Sequence, residues 1–221
     1  MSRRLILLRP EPGASDTAAK AAALGIEIGK MPLFETVRVP WTVPDPAGFD
    51  ALLLTSANAV RHGGPGLQRL RALPVHAVGK VTGDAALGAG FSVASVGGAG
   101  IDALLAGLPK GRTLLHLAGE DRTAPHAHGA HLVPITVYRA AALDILQSAL
   151  ALLSGAVVAV HSQRAGKRLA GLIAPPDRTT TSLIVLSEQA GSGVGAGWAS
   201  VAVARRPTDA ALLAIAAELC L

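Results

Sequence analysis

Short apolar runs alternate with segments of helical character along the chain. Segments rich in Ala and Leu predict helices, the first of them capped by Ser15 or Asp16 and ending at Gly25, and another over residues 145–153. Apolar runs predict buried strands at residues 5–8, 26–28, 49–56, 74–79, 91–96, 112–117, 156–160, 182–186 and 200–203. Strands that alternate with helices favour parallel sheets covered by helices.

Two further segments, residues 32–39 and 131–138, have an extended rather than a buried pattern. Each follows a strand–helix–strand unit, and the first is followed by Pro40, Pro44 and Pro46, which mark a linker. The two segments are similar enough in length to pair as a ladder between domains. The 221 residues suffice for two domains of about 100 residues each.

The composition fits this fold class and points to an anionic partner. Hydrophobic residues make up 50% of the chain but aromatic residues only 3%, so the core must consist of Ala, Val, Leu and Ile. The net charge of +5 favours an anionic partner, although chains rich in Arg and Ala also have a positive net charge without binding an anion. Scattered basic residues and few aromatic rings count against nucleic acid, and a small polyanion fits at least as well.

The single cysteine, Cys220, excludes a disulfide within the chain and is compatible with a reducing cytosol. No apolar run reaches the ~18 residues of a membrane span, and the first apolar run is too short for a signal-peptide core. We therefore expect a cytoplasmic protein with no membrane contact.

Polar, small or basic residues follow several predicted strands, where parallel sheets bind ligands. These positions are Thr55-Ser56, residues 79–82, residues 119–122 and residues 161–164. Ser56 and Asn58 also stand where a helix begins. Both are ordinary capping residues, and a capping hydroxyl can face a ligand as well.

Tyr138 is the only tyrosine of the chain and lies in the second extended segment. Its phenol can donate a proton or hydrogen-bond an oxygen. The alternative interpretation is a tyrosine packed at the edge of a strand.

Signatures of other chemistry are absent or weak. The sequence has no phosphate-binding Walker motif, and the Gly-rich residues 97–100 and 191–195 do not match the dinucleotide fingerprint. His126, His128 and His131 resemble a metal cluster, but their spacing is not that of a helical pair, and the segment carries Pro125 and Gly129. We therefore predict no metal and no cofactor.

Taken together, the order and spacing of the motifs along the chain resemble those of the uroporphyrinogen-III synthase family. The resemblance is strongest over residues 50–60, which include Thr55-Ser56-Ala57-Asn58, and over residues 77–82. It spans nearly the whole chain and also includes residues 7–11, 24–25, 32–35, 119–122, 137–139, 160–162 and 204–208.

The resemblance implies an α/β fold of two domains with parallel sheets flanked by helices. Residues 1–33 and 142–221 would form a discontinuous domain, residues 40–134 an inserted domain, and residues 34–39 and 135–141 the two-stranded ladder that joins them. The active site would lie in the cleft between the domains.

The resemblance also implies a cofactor-independent hydro-lyase of porphyrin biosynthesis. Its substrate would be hydroxymethylbilane, a linear tetrapyrrole with eight carboxylates. The terminal hydroxyl leaves as water, and the azafulvene that results is attacked by the substituted carbon of the last pyrrole. The spiro intermediate breaks and recloses with ring D inverted, which gives uroporphyrinogen III. An enzyme of this kind and size is expected to act as a monomer.

Matching positions assign roles to individual residues. Tyr138 matches the family tyrosine that assists departure of the hydroxyl, Ser56 and Thr82 match cleft positions of the inserted domain, and Ser162 matches one of the other domain. We add to these substrate-binding candidates the arginines Arg9 and Arg122, which stand at strand ends and can pair with carboxylates, and Asn58 at its helix start.

Two departures from the family pattern leave alternatives open. Residues 186–191 contain no Thr where the family carries one, so a substrate contact there is lost or replaced by Ser187, and residues 119–131 are short, with Pro125 where a helix is expected. A non-catalytic module that binds tetrapyrroles or other polycarboxylates is therefore the first alternative. A nucleotide-using α/β enzyme is the second, and the missing phosphate loop counts against it.

Overall fold

The computed structural model of the chain describes residues 2–122, 124–126 and 129–221. The chain folds into two compact units. The first unit comprises the residues up to Glu35 together with Ala141–Leu221, and the second comprises Thr36–Ala140.

The first unit is built on a five-stranded sheet in which all the pairs are parallel. Its strand order is β11 (Ser200–Val203), β10 (Ser182–Val185), β9 (Val157–Val160), β1 (Leu5–Leu7) and β2 (Ile28–Lys30). The helices of this unit are α1 (Gly13–Ala22), α5 (Gln147–Leu150), α6 (Gln163–Leu172), α7 (Glu188–Gly191) and α8 (Asp209–Cys220).

The second unit contains a sheet with the order β3 (Phe34–Arg38), β8 (His131–Ala142), β7 (Thr113–Gly119), β4 (Ala51–Leu54), β5 (Val75–Val78) and β6 (Val93–Gly97). Its helices are α2 (Ala57–Gly63), α3 (Lys80–Gly88) and α4 (Ile101–Ala106). Strands β4 to β8 form parallel pairs. Strands β3 and β8 are neighbours, and the N–H of Val39 donates to the C=O of Val137.

Both faces of each sheet are covered, which explains why the central strands are apolar throughout. In the second unit, Leu52 and Leu54 of β4 pack into one apolar cluster. Leu53, the residue between them, packs on the opposite face with Leu104 and Leu105 of α4. Successive side chains of a strand point to opposite faces, so a continuous apolar run is buried on both sides.

Several element boundaries differ from the sequence prediction by a few residues, among them those of α1, β2 and α5. Helix α1 begins at Gly13 rather than after Ser15 or Asp16, because the Glu11 carboxylate accepts the N–H of Ser15 at 2.9 Å and so satisfies the first turn. Strand β2 begins at Ile28, where it comes into register with Leu5 of β1, and not at residue 26. The predicted helix over residues 145–153 consists of the short helix α5 and a turn of 3-10 helix, Ala151–Leu153.

Candidate functional site

The parallel strands of each unit bring their carboxyl ends to one edge of the sheet, which is where such folds bind ligands. In the second unit this edge carries the residues that follow β4, β5 and β7. In the first unit it carries those that follow β1, β9, β10 and β11.

Ser56 and Asn58 lie at the start of α2, directly after β4. The Ser56 hydroxyl oxygen accepts the N–H of Asn58 at 3.2 Å and caps the helix. The Asn58 amide oxygen accepts a hydrogen bond from the Arg61 guanidinium at 3.2 Å. Both side chains are partly exposed at this edge, so capping leaves them in contact with solvent.

Tyr138 lies on β8 opposite Gly119, the last residue of β7. Its half-buried ring rests against the Cα of Gly119, where a Cβ would come within 2.8 Å of two ring carbons and 3.0 Å of the hydroxyl oxygen. The ring of His62 is the neighbour on another side, with centroids 6.1 Å apart. The Tyr138 hydroxyl makes no hydrogen bond to any residue that the structure describes, which leaves the phenol available as a donor.

Arg122 reaches the same end of β7. Its guanidinium donates to the C=O of Gly119 at 3.0 Å and to the hydroxyl of Thr136 at 2.9 Å. Arg122 and Tyr138 therefore both contact Gly119, although 16 positions separate them in the chain. The sequence did not show that this cation and this phenol share a neighbour.

Thr82 lies in the first turn of α3 and is buried. Its N–H donates to the C=O of Gly79 at 3.1 Å, and Gly79 adopts φ +84° at the turn from β5 into the helix. This left-handed backbone strongly favours glycine at position 79. The turn places Thr82 behind the strand end, in the interior of the unit.

His116 is a polar residue that the sequence analysis missed. It lies inside the apolar strand β7, and its Nε2 is 3.2 Å from the Thr55 hydroxyl. Burial and the positive charge of Arg122 lower the pKa of His116 to about 4, so the imidazole is neutral at pH 7. A histidine within a run of leucines was the available signal, because such a residue needs a buried partner.

In the first unit, Ser162 caps α6 by accepting the N–H of Ala165 at 3.2 Å. Ser187 caps α7 in the same way, with the N–H of Ala190 at 3.2 Å. The segment that departs from the family pattern therefore keeps a hydroxyl at the strand end, and this hydroxyl stabilises the helix.

Arg9 follows β1 and is held by an ion pair that the sequence did not predict. The guanidinium donates from Nη1 to Oδ1 of Asp209 at 3.1 Å and to the Thr17 hydroxyl at 3.1 Å. Lys20 donates to Oδ2 of Asp209 at 3.0 Å. Burial opposes ionisation of Asp209, but the bonds from Lys20 and Thr17 and the charge of Arg9 lower its pKa below the ordinary value.

His161, which follows β9, is the fifth member of this group, after Arg9, Thr17, Lys20 and Asp209. Its side chain is only 8% exposed, and its Nε2 is 3.6 Å from Oδ1 of Asp209, beyond hydrogen-bond distance. Neither ring nitrogen has a hydrogen-bond partner in the described part of the chain. Burial and the charge of Arg9 lower the pKa of His161 to about 4, so this imidazole is also neutral at pH 7.

Two cavities lie away from these residues. One of about 640 Å³ in the first unit is lined by residues that precede the strands, among them Leu153, Ser154 and Thr181. One of about 200 Å³ in the second unit is lined by Asp50 and Arg112, which also precede strands. Both open at the amino ends of the sheets, so neither contains a predicted site residue.

The described residues contain no group of His, Cys, Asp and Glu that could hold a metal ion. His128, one member of the metal-like cluster, lies outside the described residues. His126 instead pairs with Asp102, with Nδ1 and Oδ2 at 2.9 Å, and this carboxylate raises the pKa of the imidazole. Among the residues described, no helix combines the length and the apolar character needed to cross a membrane.

Comparison with known proteins places the chain in a family. A family model described as uroporphyrinogen-III synthase HemD matches residues 15–214. No curated protein matches the chain. The uroporphyrinogen-III synthetase of Helicobacter pylori has a similar structure, with a TM-score of 0.71 and 19% identity over 98% of this chain and 99% of the other.

A mutant uroporphyrinogen III synthase of Thermus thermophilus is also similar, with a TM-score of 0.55 and 19% identity over 97% of this chain and 98% of the other. At these identities the structural matches show the fold, and the family model covers most of the chain. The chain therefore belongs to the uroporphyrinogen-III synthase family.

Proposed function

We propose that this chain converts hydroxymethylbilane into uroporphyrinogen III and that Tyr138 assists the departure of the terminal hydroxyl. As a member of its family, the chain is a lyase of tetrapyrrole biosynthesis that acts on a small tetrapyrrole. The observation that supports the role of Tyr138 is its placement at the carboxyl end of the sheet, with a hydroxyl that no described residue engages.

The reaction needs orientation more than reactive groups. Protonation of the terminal hydroxyl lets it leave as water, and the pyrrole nitrogen supplies the electrons that form the azafulvene. The substituted α-carbon of the last pyrrole attacks the methylene carbon of the azafulvene and forms the spiro intermediate. This intermediate fragments, and the other α-carbon of the same pyrrole then closes the ring. Atoms and electrons balance with water as the only by-product, so the protein must fold the chain and favour the spiro route.

In this proposal Tyr138 donates the hydrogen bond or proton to the departing hydroxyl. Arg122 supports the assignment because it contacts the same glycine and carries a positive charge that can pair with a substrate carboxylate. Its Nη1 is occupied by the C=O of Gly119 and by Thr136, which fixes the guanidinium at the strand end.

We further propose that Ser56, Asn58, Thr82, Ser162 and Arg9 bind substrate. Ser56 and Ser162 lie at strand ends with hydroxyls that cap helices, and the hydroxyl proton of a capping serine is free to donate elsewhere. Thr82 is buried, so it needs a local opening of the first turn of α3 to reach a ligand, and it is the least accessible of the five.

We propose domains of residues 1–33 with 142–221 and of residues 40–134, joined by the ladder of residues 34–39 and 135–141. We propose that the protein acts as a monomer in the cytoplasm without a cofactor. The free and buried Cys220 is compatible with a reducing compartment.

The test supplies fresh hydroxymethylbilane to the purified protein and separates the uroporphyrinogen isomers after oxidation. Without an enzyme the bilane closes to the symmetric type I isomer. We expect type III to dominate with the wild type and the rate to fall about 100-fold or more in Tyr138→Phe, because one general acid contributes factors of this order. Thr180→Val, which removes an exposed hydroxyl at the amino end of the first sheet, is the control and should not change the rate.

Type III formation at the wild-type rate in Tyr138→Phe would keep the function and discard the role of the tyrosine. The binding module remains the second candidate, because Ser187 serves as a helix cap in the segment where the family carries Thr. If only type I forms at the spontaneous rate while the protein still binds uroporphyrin, the binding module is the function.

A further inference from the structure

Among the described residues, the guanidinium of Arg9 makes hydrogen bonds through only one of its three nitrogens. Its Nη1 carries both hydrogen bonds, to Asp209 and to Thr17. Nε and Nη2 make no hydrogen bond to any residue in the described part of the chain, and the side chain is 30% exposed. An arginine presents these two N–H groups side by side, in a spacing that matches the two oxygens of a carboxylate.

The charge of Arg9 is not cancelled by its partner. Asp209 accepts from Arg9 through Oδ1 and from Lys20 and Thr17 through Oδ2, so both carboxylate oxygens are occupied. Two cations share one anion, which leaves the group with a net charge of +1 while His161 is neutral. This balance favours the approach of one further anion.

Gly13 makes room for this arrangement. The guanidinium lies so close to the backbone that a Cβ on Gly13 would be 2.5 Å from Nε and 2.6 Å from Nη2 of Arg9. Any other residue at position 13 would push aside Nε and Nη2 of Arg9, the two nitrogens without a partner in the described residues. Gly13 is the first residue of α1, where alanine would otherwise be the better helix former.

His161 supplies the second and independent observation. Its side chain is only 8% exposed, yet neither ring nitrogen has a hydrogen-bond partner among the residues that the structure describes. A buried imidazole without partners costs free energy that a polar ligand would recover. The Nε2 points toward Oδ1 of Asp209, the same oxygen that Arg9 contacts.

We propose that Arg9 and His161, positioned by Asp209 and Gly13, form a binding site for one carboxylate of the tetrapyrrole substrate. The carboxylate pairs with Nε and Nη2 of Arg9, and a local movement of the buried His161 ring lets it accept the N–H of this neutral imidazole. This inference rests on the proposed function for the identity of the ligand. The geometry of the site itself does not depend on it.

Gly13→Ala tests the site with little effect on folding. The added methyl displaces the flexible guanidinium of Arg9, while alanine suits the helix better than glycine. We expect the Kd for uroporphyrin, an octacarboxylate that stands in for the product, to rise about ten-fold, as expected when a charge-assisted pair is lost. Gly171→Ala in α6 is the matched control, because a Cβ there meets nothing within 4 Å.

His161→Leu tests the second donor. The variant removes two unsatisfied nitrogens, so we expect its free energy of unfolding to stay or increase, while the Kd for uroporphyrin rises about five-fold. His131→Leu, at an exposed position of β8, is the control. In the wild-type protein, NMR titration should show that saturating uroporphyrin raises the pKa of His161, because a bound carboxylate favours the charged imidazole.

Unchanged Kd values in Gly13→Ala and His161→Leu, together with an unchanged pKa of His161, would overturn the site. A similar rise of the Kd for uroporphyrin in both control variants would also overturn the site, because the loss of affinity would then not be specific to Arg9 and His161. The isomer assay on the same samples separates the two proposals. Type III product from the wild type with unaffected uroporphyrin binding in both variants rejects only this site, whereas type I product alone rejects the proposed function.

Discussion

Gly119 is the residue on which the proposed tyrosine depends. The ring of Tyr138 lies on the bare Cα of this glycine, and no side chain other than hydrogen fits beneath it. A glycine at the end of a strand usually indicates a turn or a close approach, and here it is a close approach. The placement of Tyr138 therefore depends on a residue that carries no chemistry.

We predict that Gly119→Ala lowers the rate of type III formation about as far as Tyr138→Phe does. The new Cβ would lie 2.8 Å from the ring carbons, so the ring must move away from its present position. The isomer assay measures the effect. Gly98→Ala, in the loop after β6 where a Cβ meets nothing within 4 Å, is the control. Full activity in Gly119→Ala would show that the position of the ring does not matter.

His116 makes the stability of the protein depend on pH. Its pKa is lowered from 6.5 to about 4 by burial and by Arg122, so below pH 6.5 the unfolded chain binds a proton that the folded chain refuses. Stability is therefore complete above pH 6.5 and declines as the pH falls toward 4. Between pH 7 and pH 5 this one group lowers the free energy of unfolding by about 2 kcal/mol.

Urea unfolding at pH 7 and pH 5 measures this decline. In His116→Gln the amide can still reach Thr55 but cannot take up a proton, so the difference between the two pH values should shrink by about 2 kcal/mol. His161, whose pKa is also lowered to about 4, contributes a decline of the same sign that remains in the variant. An equal pH dependence in wild type and variant would contradict a buried neutral His116.

At the scale of elements, the strand–turn–helix connections follow one design. Ser56, Ser162, Ser187 and Thr208 each stand between a strand and a helix and accept a backbone N–H of the first turn. Such caps are worth about 1 kcal/mol each. They explain why hydroxyl residues recur at the carboxyl ends of the strands whether or not a ligand binds there.

Arg178 connects elements of the first unit from the inside. It is 6% exposed and donates to the carbonyls of Ile173 at 2.9 Å, Ala196 at 2.7 Å and Ala170 at 2.5 Å. Its guanidinium also lies 5.0 Å from the ring centroid of Trp198. One side chain thus holds the end of α6 against the loop before β11.

We predict that Arg178→Met lowers the free energy of unfolding by about 3 to 5 kcal/mol. The variant keeps most of the volume but leaves three carbonyls without a donor, and each unsatisfied group costs about 1 to 3 kcal/mol. Denaturant unfolding measures the loss. The exposed Arg69→Met is the matched control and should change stability by less than about 0.5 kcal/mol. A loss no larger than that of the control would show that the carbonyls find other donors.

At the scale of the whole molecule, each unit has a sheet and apolar clusters of its own. The second unit is also continuous in sequence, from Thr36 to Ala140, whereas the first is assembled from two stretches. A continuous segment with its own core is able to fold alone.

We predict that a fragment of residues 36–140 unfolds cooperatively in denaturant. The fragment should bind uroporphyrin more weakly than the full chain and should not form the type III isomer, since it lacks Arg9, His161 and Ser162. Circular dichroism and the isomer assay provide the measurements. A fragment without a cooperative transition would show that its core needs the remainder of the chain.

The sequence by itself determined the element order and the fold class, because these follow from local periods of apolar residues and from capping residues next to them. It also predicted which residues stand at strand ends, such as Ser56, Arg122 and Ser162, since strand ends are local features. Boundaries shifted where a contact that the apolar period does not encode intervened, as with the Glu11 carboxylate at the start of α1 and the pairing of Ile28 with Leu5 at the start of β2.

Only the tertiary structure decided which of these residues meet. Arg9 and Asp209 are 200 positions apart, and Thr55 and His116 are 61 apart, so no local pattern could pair them. The close approach at Gly119 depends on the ring of Tyr138, which lies on the neighbouring strand β8. Local periodicity fixes strands and helices, whereas burial, pairing and the shifted pKa values of His116 and His161 arise only when distant segments share one interior.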